Sequence, residues 1–245
     1  TAPYGEYIQS QMKIRRHKDM SRKEAHKRLS DPVWYAMMMV EQGDADGVVC
    51  GATHSSKVTY STALKVVGSH DGHGLVSSCF FMFWQENLFL FADAALNINP
   101  TAKQLGEIAK STAVTAKHYG LHPRGALLSY STNGSAEGEI ASKVQEAMKY
   151  VDKDVFYGDI QFDAAFSPRV RDFKHAEVPF EDRANVYIFP DLASANIGYK
   201  IAQRLGDVTA IGPITQGLKK PINDLSRGCS VKDIYETILL TAYHE

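Results

Sequence analysis

Apolar residues in this chain fall into short unbroken runs, separated by longer stretches in which they recur every three to four positions. The runs LVSSCFFMFW (75–84), NLFLFAD (87–93), ALLSY (126–130) and NVYIF (185–189) are short and β-rich, which predicts strands. GDADGVVCG reads as a turn followed by another such strand, and the runs at 75–84 and 87–93 are close enough to pair as neighbours. Helical spacing predicts a buried helix over 31–42, with Pro32 in its first turn, and further helices from Thr101 to about Tyr119 and over 136–150, 195–205 and 231–243. Strands alternating with helices predict an α/β fold with a mainly parallel sheet.

One stretch fits neither rhythm. Between Gly212 and Asp233 the sequence reads GPITQGLKKPINDLSRGCSVKD, and its Gly and Pro spacing predicts a shaped loop. Ser226, Arg227 and Asp233 place a hydroxyl, a guanidinium and a carboxylate close together in sequence, a set suited to handling an anion. Ser230-Val-Lys-Asp233 also matches a capping box at a helix start, so capping and chemistry are both open for Asp233. Three strand-to-helix junctions share one character: GATHSS (51–56), SYSTNGSAEG (129–138) and DLASANIGYK (191–200) are rich in Ser, Thr, Asn and Gly. Such residues serve as caps and turns; at the carboxyl ends of strands they also suit a phosphate-containing ligand.

Bulk properties narrow the classes. A net charge of −1 over 245 residues provides no global field for nucleic acid or an anionic membrane surface, so an anionic ligand must be met by local positive charge. No run approaches the roughly 18 apolar residues of a membrane span. Three scattered cysteines, Cys50, Cys79 and Cys229, form neither a disulfide framework nor a zinc pair and fit a reducing, cytoplasmic setting. The nine histidines show no metal-ligand spacing, so no metal centre is expected, and His54 reads as a loop-stabilising residue. Cys229 reads as structural, because no His stands near it in sequence to act as a base. Arg15, Arg16, His17 and Lys18 read as a solvated basic face that can dock a phosphate.

The segments DADGVVCGATHSS (44–56), FADAALNINPTAKQLGEIA (91–109), LLSYSTNGSAEG (127–138), GDIQFDAA (158–165), VYIFPDLASANIGYKIAQR (186–204) and GPITQGLKKPINDLSRG (212–228) together resemble the phosphate acetyltransferases, or phosphotransacetylases, over nearly the whole chain. The resemblance implies a two-lobed, three-layer α/β/α fold like that of isocitrate and isopropylmalate dehydrogenases, with the active cleft between the lobes. One lobe would hold 1–73 plus 217–245, with its N-terminal portion missing, and the other 74–216. It implies reversible acetyl transfer between acetyl phosphate and coenzyme A in a homodimer, with coenzyme A as substrate and no resident cofactor. By motif, Asp233 would take the thiol proton, Ser226 would stabilise the sulfur and Arg227 would bind acetyl phosphate. Arg15, Arg204, Ser56, Asn196, Tyr199 and Lys200 would bind substrates. Where the family commonly has an arginine associated with coenzyme A, this chain has Ser61, with Lys57 and Lys65 nearby. Alternatives are an acyl-CoA-sensing domain like that of bifunctional malic enzymes, and a related enzyme preferring longer acyl groups.

Overall fold

A computed structural model of the chain describes residues 4–14, 20–70 and 74–243. It divides into two compact units, Thr1–Gly74 with Gly217–Glu245, and Leu75–Gln216. The discontinuous outer unit begins with helices α1 (Tyr4–Ile14), α2 (Arg22–Leu29) and α3 (Pro32–Gln42), followed by strand β1 (Val48–Cys50) and helix α4 (Ser56–Val66). Asp31 caps α3 by accepting the Val33 N–H at 2.8 Å, Pro32 fills its first position, and Gly43 ends it at φ +82°.

The inner unit runs β2 (Ser77–Trp84), β3 (Asn87–Ala92), α5 (Ala102–His118), β4 (Gly125–Leu128), α6 (Glu139–Ala147), β5 (Phe156–Ile160), α7 (Phe162–Phe166), α8 (Pro168–Phe173), β6 (Val186–Ile188), α9 (Leu192–Leu205) and β7 (Thr209–Gln216). Its six strands are ordered β5-β4-β6-β3-β2-β7. The pairs from β5 to β3 are parallel, while β2 is antiparallel to both β3 and β7. The unbroken hydrophobic runs have a direct cause. Phe80, Met82, Phe89, Phe91, Ala126, Leu128 and Tyr187 pack on one face with Ala195 and Tyr199 of α9. The alternate residues Cys79, Phe81, Leu90, Leu127, Val186 and Ile188 are equally buried, and α5 contributes buried Leu105, Ile108 and Ala109. The result is a three-layer α/β/α unit.

The outer unit resumes with β8 (Ile222–Asp224) and α10 (Val231–Ala242). β8 lies parallel to β1 in register Val48↔Ile222, Val49↔Asn223 and Cys50↔Asp224. The buried Asn223 amide ties β8 to α10 by donating to Thr241 Oγ1 at 2.8 Å.

The loop expected over Gly212–Asp233 is thus only partly a loop. Its first residues, Gly212–Gln216, belong to β7, and Ile222, Asn223 and Asp224 form a fully buried strand. β7 is an edge strand, and its pairing with β2 shifts register between Cys79 and Phe81, where Gly212 and Pro213 sit. An edge irregularity is where a strand tolerates Gly-Pro, so the punctuation does not end the strand. Gln216 then fastens that end: its Oε1 accepts from Ser77 Oγ (3.1 Å) and Thr112 Oγ1 (3.2 Å), and its Nε2 donates to Thr115 Oγ1 (2.8 Å).

Candidate active site

Parallel pairing of β1 and β8 sends two loops out of the same strand end, because Cys50 stands opposite Asp224 and the Leu225 N–H donates to the Cys50 carbonyl at 2.7 Å. From Cys50 the chain passes through 51–55 into α4; from Asp224 it passes through 225–230 into α10. Ser226, Arg227 and Asp233 are all exposed on the second path. Ser226 opens a tight turn: the Cys229 N–H donates to its carbonyl at 3.0 Å, and the Gly228 N–H donates to its Oγ at 3.2 Å. Since Oγ already accepts a hydrogen bond, its own hydrogen is left to point elsewhere as a donor. Among the described residues, no hydrogen bond or ion pair engages the Arg227 guanidinium.

Asp233 is the third residue of a complete capping box. Its Oδ2 accepts the Ser230 N–H at 2.8 Å, while its own N–H donates to Ser230 Oγ at 3.2 Å. Its carboxylate is therefore held in a fixed orientation at the mouth of α10 while exposed to solvent. Cys229, half-buried, carries a free thiol in the same turn.

On the first path, His54 Nδ1 and Thr53 Oγ1 hydrogen-bond at 3.0 Å, a contact within the loop. Ser56 is exposed at the first position of α4, whose N-cap Ser55 makes no side-chain cap bond. Sequence reasoning missed the residue beneath: Asp224 is 2% exposed. Burial pushes its carboxyl above the ordinary carboxylate range, and the nearby Ser56 and Thr59 hydroxyls pull it partly back. The Cys50 thiol in turn leans on Thr59 Oγ1 at 3.8 Å, and burial pushes that thiol up too, away from reactivity. The available signal was an acid inside the short apolar frame Ile222–Leu225, where a carboxylate is out of place without a task. Lys57, Ser61 and Lys65 recur every four residues along α4, with both lysines exposed.

The inner unit places Asn196, Tyr199, Lys200 and Arg204 on α9. Asn196 Oδ1 accepts from Lys200 Nζ at 2.9 Å. The Tyr199 ring stacks on buried Phe80 at 4.1 Å, so most of that side chain is packing. Arg204 is exposed in the last turn of the same helix, at the end remote from Asp191, which caps the other end by accepting the Ser194 N–H at 2.8 Å. Beside that capped end lies a cavity of about 640 Å³. It is lined by Asn196, Leu192 and Asp191, by Glu139, Ile140 and Lys143 of α6, and by Ile98 and Asn99. Asp93, buried after β3, shapes the loop carrying Ile98 and Asn99 by accepting the N–H groups of Ala95, Leu96 and Asn97 at 3.1, 3.3 and 2.9 Å.

The junction at 129–138 behaves mainly as a self-bonded turn. Ser129, Ser131 and Ser135 accept the backbone N–H groups of Ser131, Ala136 and Thr132, and Thr132 bonds Gln161. Each of these serines accepts within the loop, as Ser226 does, and so keeps its own hydrogen as a donor. Asp191 fills the N-terminus of α9 with negative charge, which disfavours an anion there. Arg15 lies outside the described residues.

The strand-end loops and layered sheet define an α/β protein of the dehydrogenase-like type, and a solved 4-hydroxythreonine-4-phosphate dehydrogenase from Klebsiella pneumoniae shares the fold alone, at TM-score 0.50 and 13% identity over 86% of this chain and 68% of that one. The chain belongs to the Phosphate acetyl/butaryl transferase family, whose model matches residues 1–242. It is 44% identical to the phosphate acetyltransferase of Bacillus subtilis over 232 residues, covering 93% of this chain and 72% of that protein. A phosphotransacetylase structure from Streptococcus pyogenes superposes at TM-score 0.92 with 42% identity, covering 99% of this chain and 75% of that one.

Proposed function

We propose that this chain is a phosphate acetyltransferase, moving an acetyl group reversibly between acetyl phosphate and coenzyme A by direct thiolate attack. The observation that carries the reading is the 226–233 segment, where a free hydroxyl hydrogen, an unengaged guanidinium and an oriented carboxylate share one turn and the helix start after it. A thiol of pKa near 8.5 is only a few per cent ionised at pH 7, so a base beside it raises the reactive fraction. Asp233 takes the thiol proton, Ser226 donates to the sulfur, and Arg227 holds acetyl phosphate and offsets charge growing on the carbonyl oxygen. The S–C bond forms as the bond from carbon to the phosphate oxygen breaks, and its electron pair departs with phosphate. An acyl phosphate is already activated, so this route uses neither an acyl-enzyme nor a resident cofactor.

Ser56, Arg15, Asn196, Lys200 and Arg204 serve substrate binding in this reading, with Tyr199 contributing its hydroxyl. The assay is coenzyme A-dependent release of phosphate from acetyl phosphate by the full-length protein. Absence of turnover with retained acetyl-CoA binding would replace the enzyme by a sensor.

Where the family commonly has an arginine this chain has Ser61, with Lys57 and Lys65 one turn to either side on α4. Ser61→Arg is then expected to lower the KM for coenzyme A about fivefold, the scale of one exposed charge contact of ~1 kcal/mol. An unchanged KM would show position 61 to be irrelevant.

We also infer a cytoplasmic homodimer. The exposed row Ile197, Ile201 and Leu205, at 59, 53 and 84% exposure, recurs every four residues on α9 and supports self-association. Ile201→Asp is expected to shift sedimentation from dimer to monomer; a dimer of unchanged affinity would remove that face from the interface. The free thiols support the location, and cell fractionation that found the protein elsewhere would refute it.

A further inference from the structure

Strands β4 and β6 are adjacent and parallel, but the chain leaves them in opposite directions. From β4 it runs through α6 outward to β5; from β6 it runs through α9 back past β3 and β2 to β7. Diverging connections open a crevice at the carboxyl ends of such a pair, the usual ligand site of an open α/β sheet. The cavity of about 640 Å³ lies there, walled by α6, by the start of α9 and by the loop after β3. Its volume falls within the roughly 300–1,000 Å³ of small-molecule sites.

The three walls are fastened to one another. The Leu192 N–H donates to the Ile98 carbonyl at 3.1 Å, joining α9 to the loop. Lys143 Nζ donates to Asn99 Oδ1 at 2.8 Å, joining α6 to the same loop. Buried Asp93 holds that loop through three backbone N–H groups.

The lining is chemically selective. A lysine only donates, so Lys143 fixes the side-chain oxygen of Asn99, and Lys200 fixes that of Asn196. Each amide nitrogen then keeps at least one hydrogen to give. Glu139 and Asp191 add acceptors, and Asp191 uses only one oxygen to cap α9. Two carboxylates against the single ammonium of Lys143 disfavour a phosphate. Ile98, Ile140 and Leu192 set apolar surface among these groups, and Ile98 is 77% exposed, area that a ligand would remove from water.

We propose that this cavity receives the pantetheine arm of coenzyme A. The identity of the ligand rests on the acetyltransferase reading. Acetyl phosphate and the nucleotide end of coenzyme A both carry phosphate charge, which Glu139 and Asp191 repel. The arm between nucleotide and thiol is uncharged. Its two amides bring carbonyls for Asn99 and Asn196 and N–H groups for the carboxylates, and its methylene groups cover Ile98, Ile140 and Leu192.

The test measures binding of pantetheine, which lacks phosphate, and of adenosine 3′,5′-bisphosphate by calorimetry, which needs no turnover. Asn99→Asp and Asn196→Asp keep the oxygen that each lysine holds and remove the amide donor. Each is expected to weaken pantetheine and coenzyme A binding about tenfold, the size of one lost hydrogen bond, with bisphosphate binding and melting temperature unchanged. Ala193→Trp, which fills the cavity from the exposed first turn of α9, is expected to abolish pantetheine binding. Failure of pantetheine to bind the unaltered protein, survival of its binding in Ala193→Trp, or equal weakening of the bisphosphate would overturn the proposal. Normal turnover by Ala193→Trp with an unchanged KM for coenzyme A would sink this inference alone. Pantetheine binding that responded as expected in a protein without turnover would sink the acetyltransferase reading and leave this one standing.

Discussion

Asp233→Asn is expected to lower kcat by on the order of 10²-fold or more, the usual worth of a general base, while the protein keeps its fold. The capping box makes this substitution unusually clean. Asn retains a carbonyl oxygen that can accept the Ser230 N–H, so the mouth of α10 stays closed while the proton acceptor is lost. Ser230→Ala does the reverse: it removes the hydroxyl that accepts the Asp233 N–H, costs about 1 kcal/mol of stability and leaves the carboxylate in place. Melting temperature and kcat measured on both variants separate the cap from the base. Normal turnover by Asp233→Asn would show that Asp233 is only a cap.

Arg227→Ala is expected to reduce kcat/KM for acetyl phosphate by about 10²- to 10³-fold, the range seen when one transition-state donor is removed. Lys at 227 recovers only part of it, because a point charge cannot grip an acyl phosphate in two places at once. Stability should change by less than about 0.5 kcal/mol, since Arg227 is exposed and engaged by none of the described residues. A kcat/KM that survived the truncation would remove Arg227 from the chemistry. A large drop in melting temperature would instead point to a structural role for Arg227.

The elements most legible in the sequence were those whose local signals agree with their burial. β2 and β3 read as strands because both faces are covered, and α3, α5 and α10 announce their starts with Asp31, Thr101 and Ser230. Others were hidden for identifiable reasons. β7 carries Gly212 and Pro213 at an edge irregularity, β5 interrupts its apolar run with Gly158 and Asp159, and α4 is rich in Ser, Thr and Val, which weaken a helical signal. β8 is three residues long, two of them polar, and only its pairing with β1 explains their burial.

The candidate site divides in the same way. Ser226, Arg227 and Asp233 are neighbours in sequence, so their association was visible at once. Asp224 lies against Gly51, which comes from the other chain segment of the outer unit, and no local pattern encodes that contact. Helix α9 shows the converse limit. Asn196, Tyr199 and Lys200 lie close in sequence, yet much of their bonding capacity is turned on one another and on Phe80.

The strand pair β1–β8 joins residues between which the whole inner unit intervenes. Closing so long a loop of unfolded chain carries an entropic cost that grows with the logarithm of its length. The inner unit reduces that length by folding, because Ser77 pairs with Gln216 and brings its two ends together. To the outer strands, the folded inner unit is then a short clip and no longer a long tether. Stability at the Ser77–Gln216 seam therefore also helps hold the ends of β1 and β8 side by side, at a distance along the chain that neither strand's own neighbours could bridge.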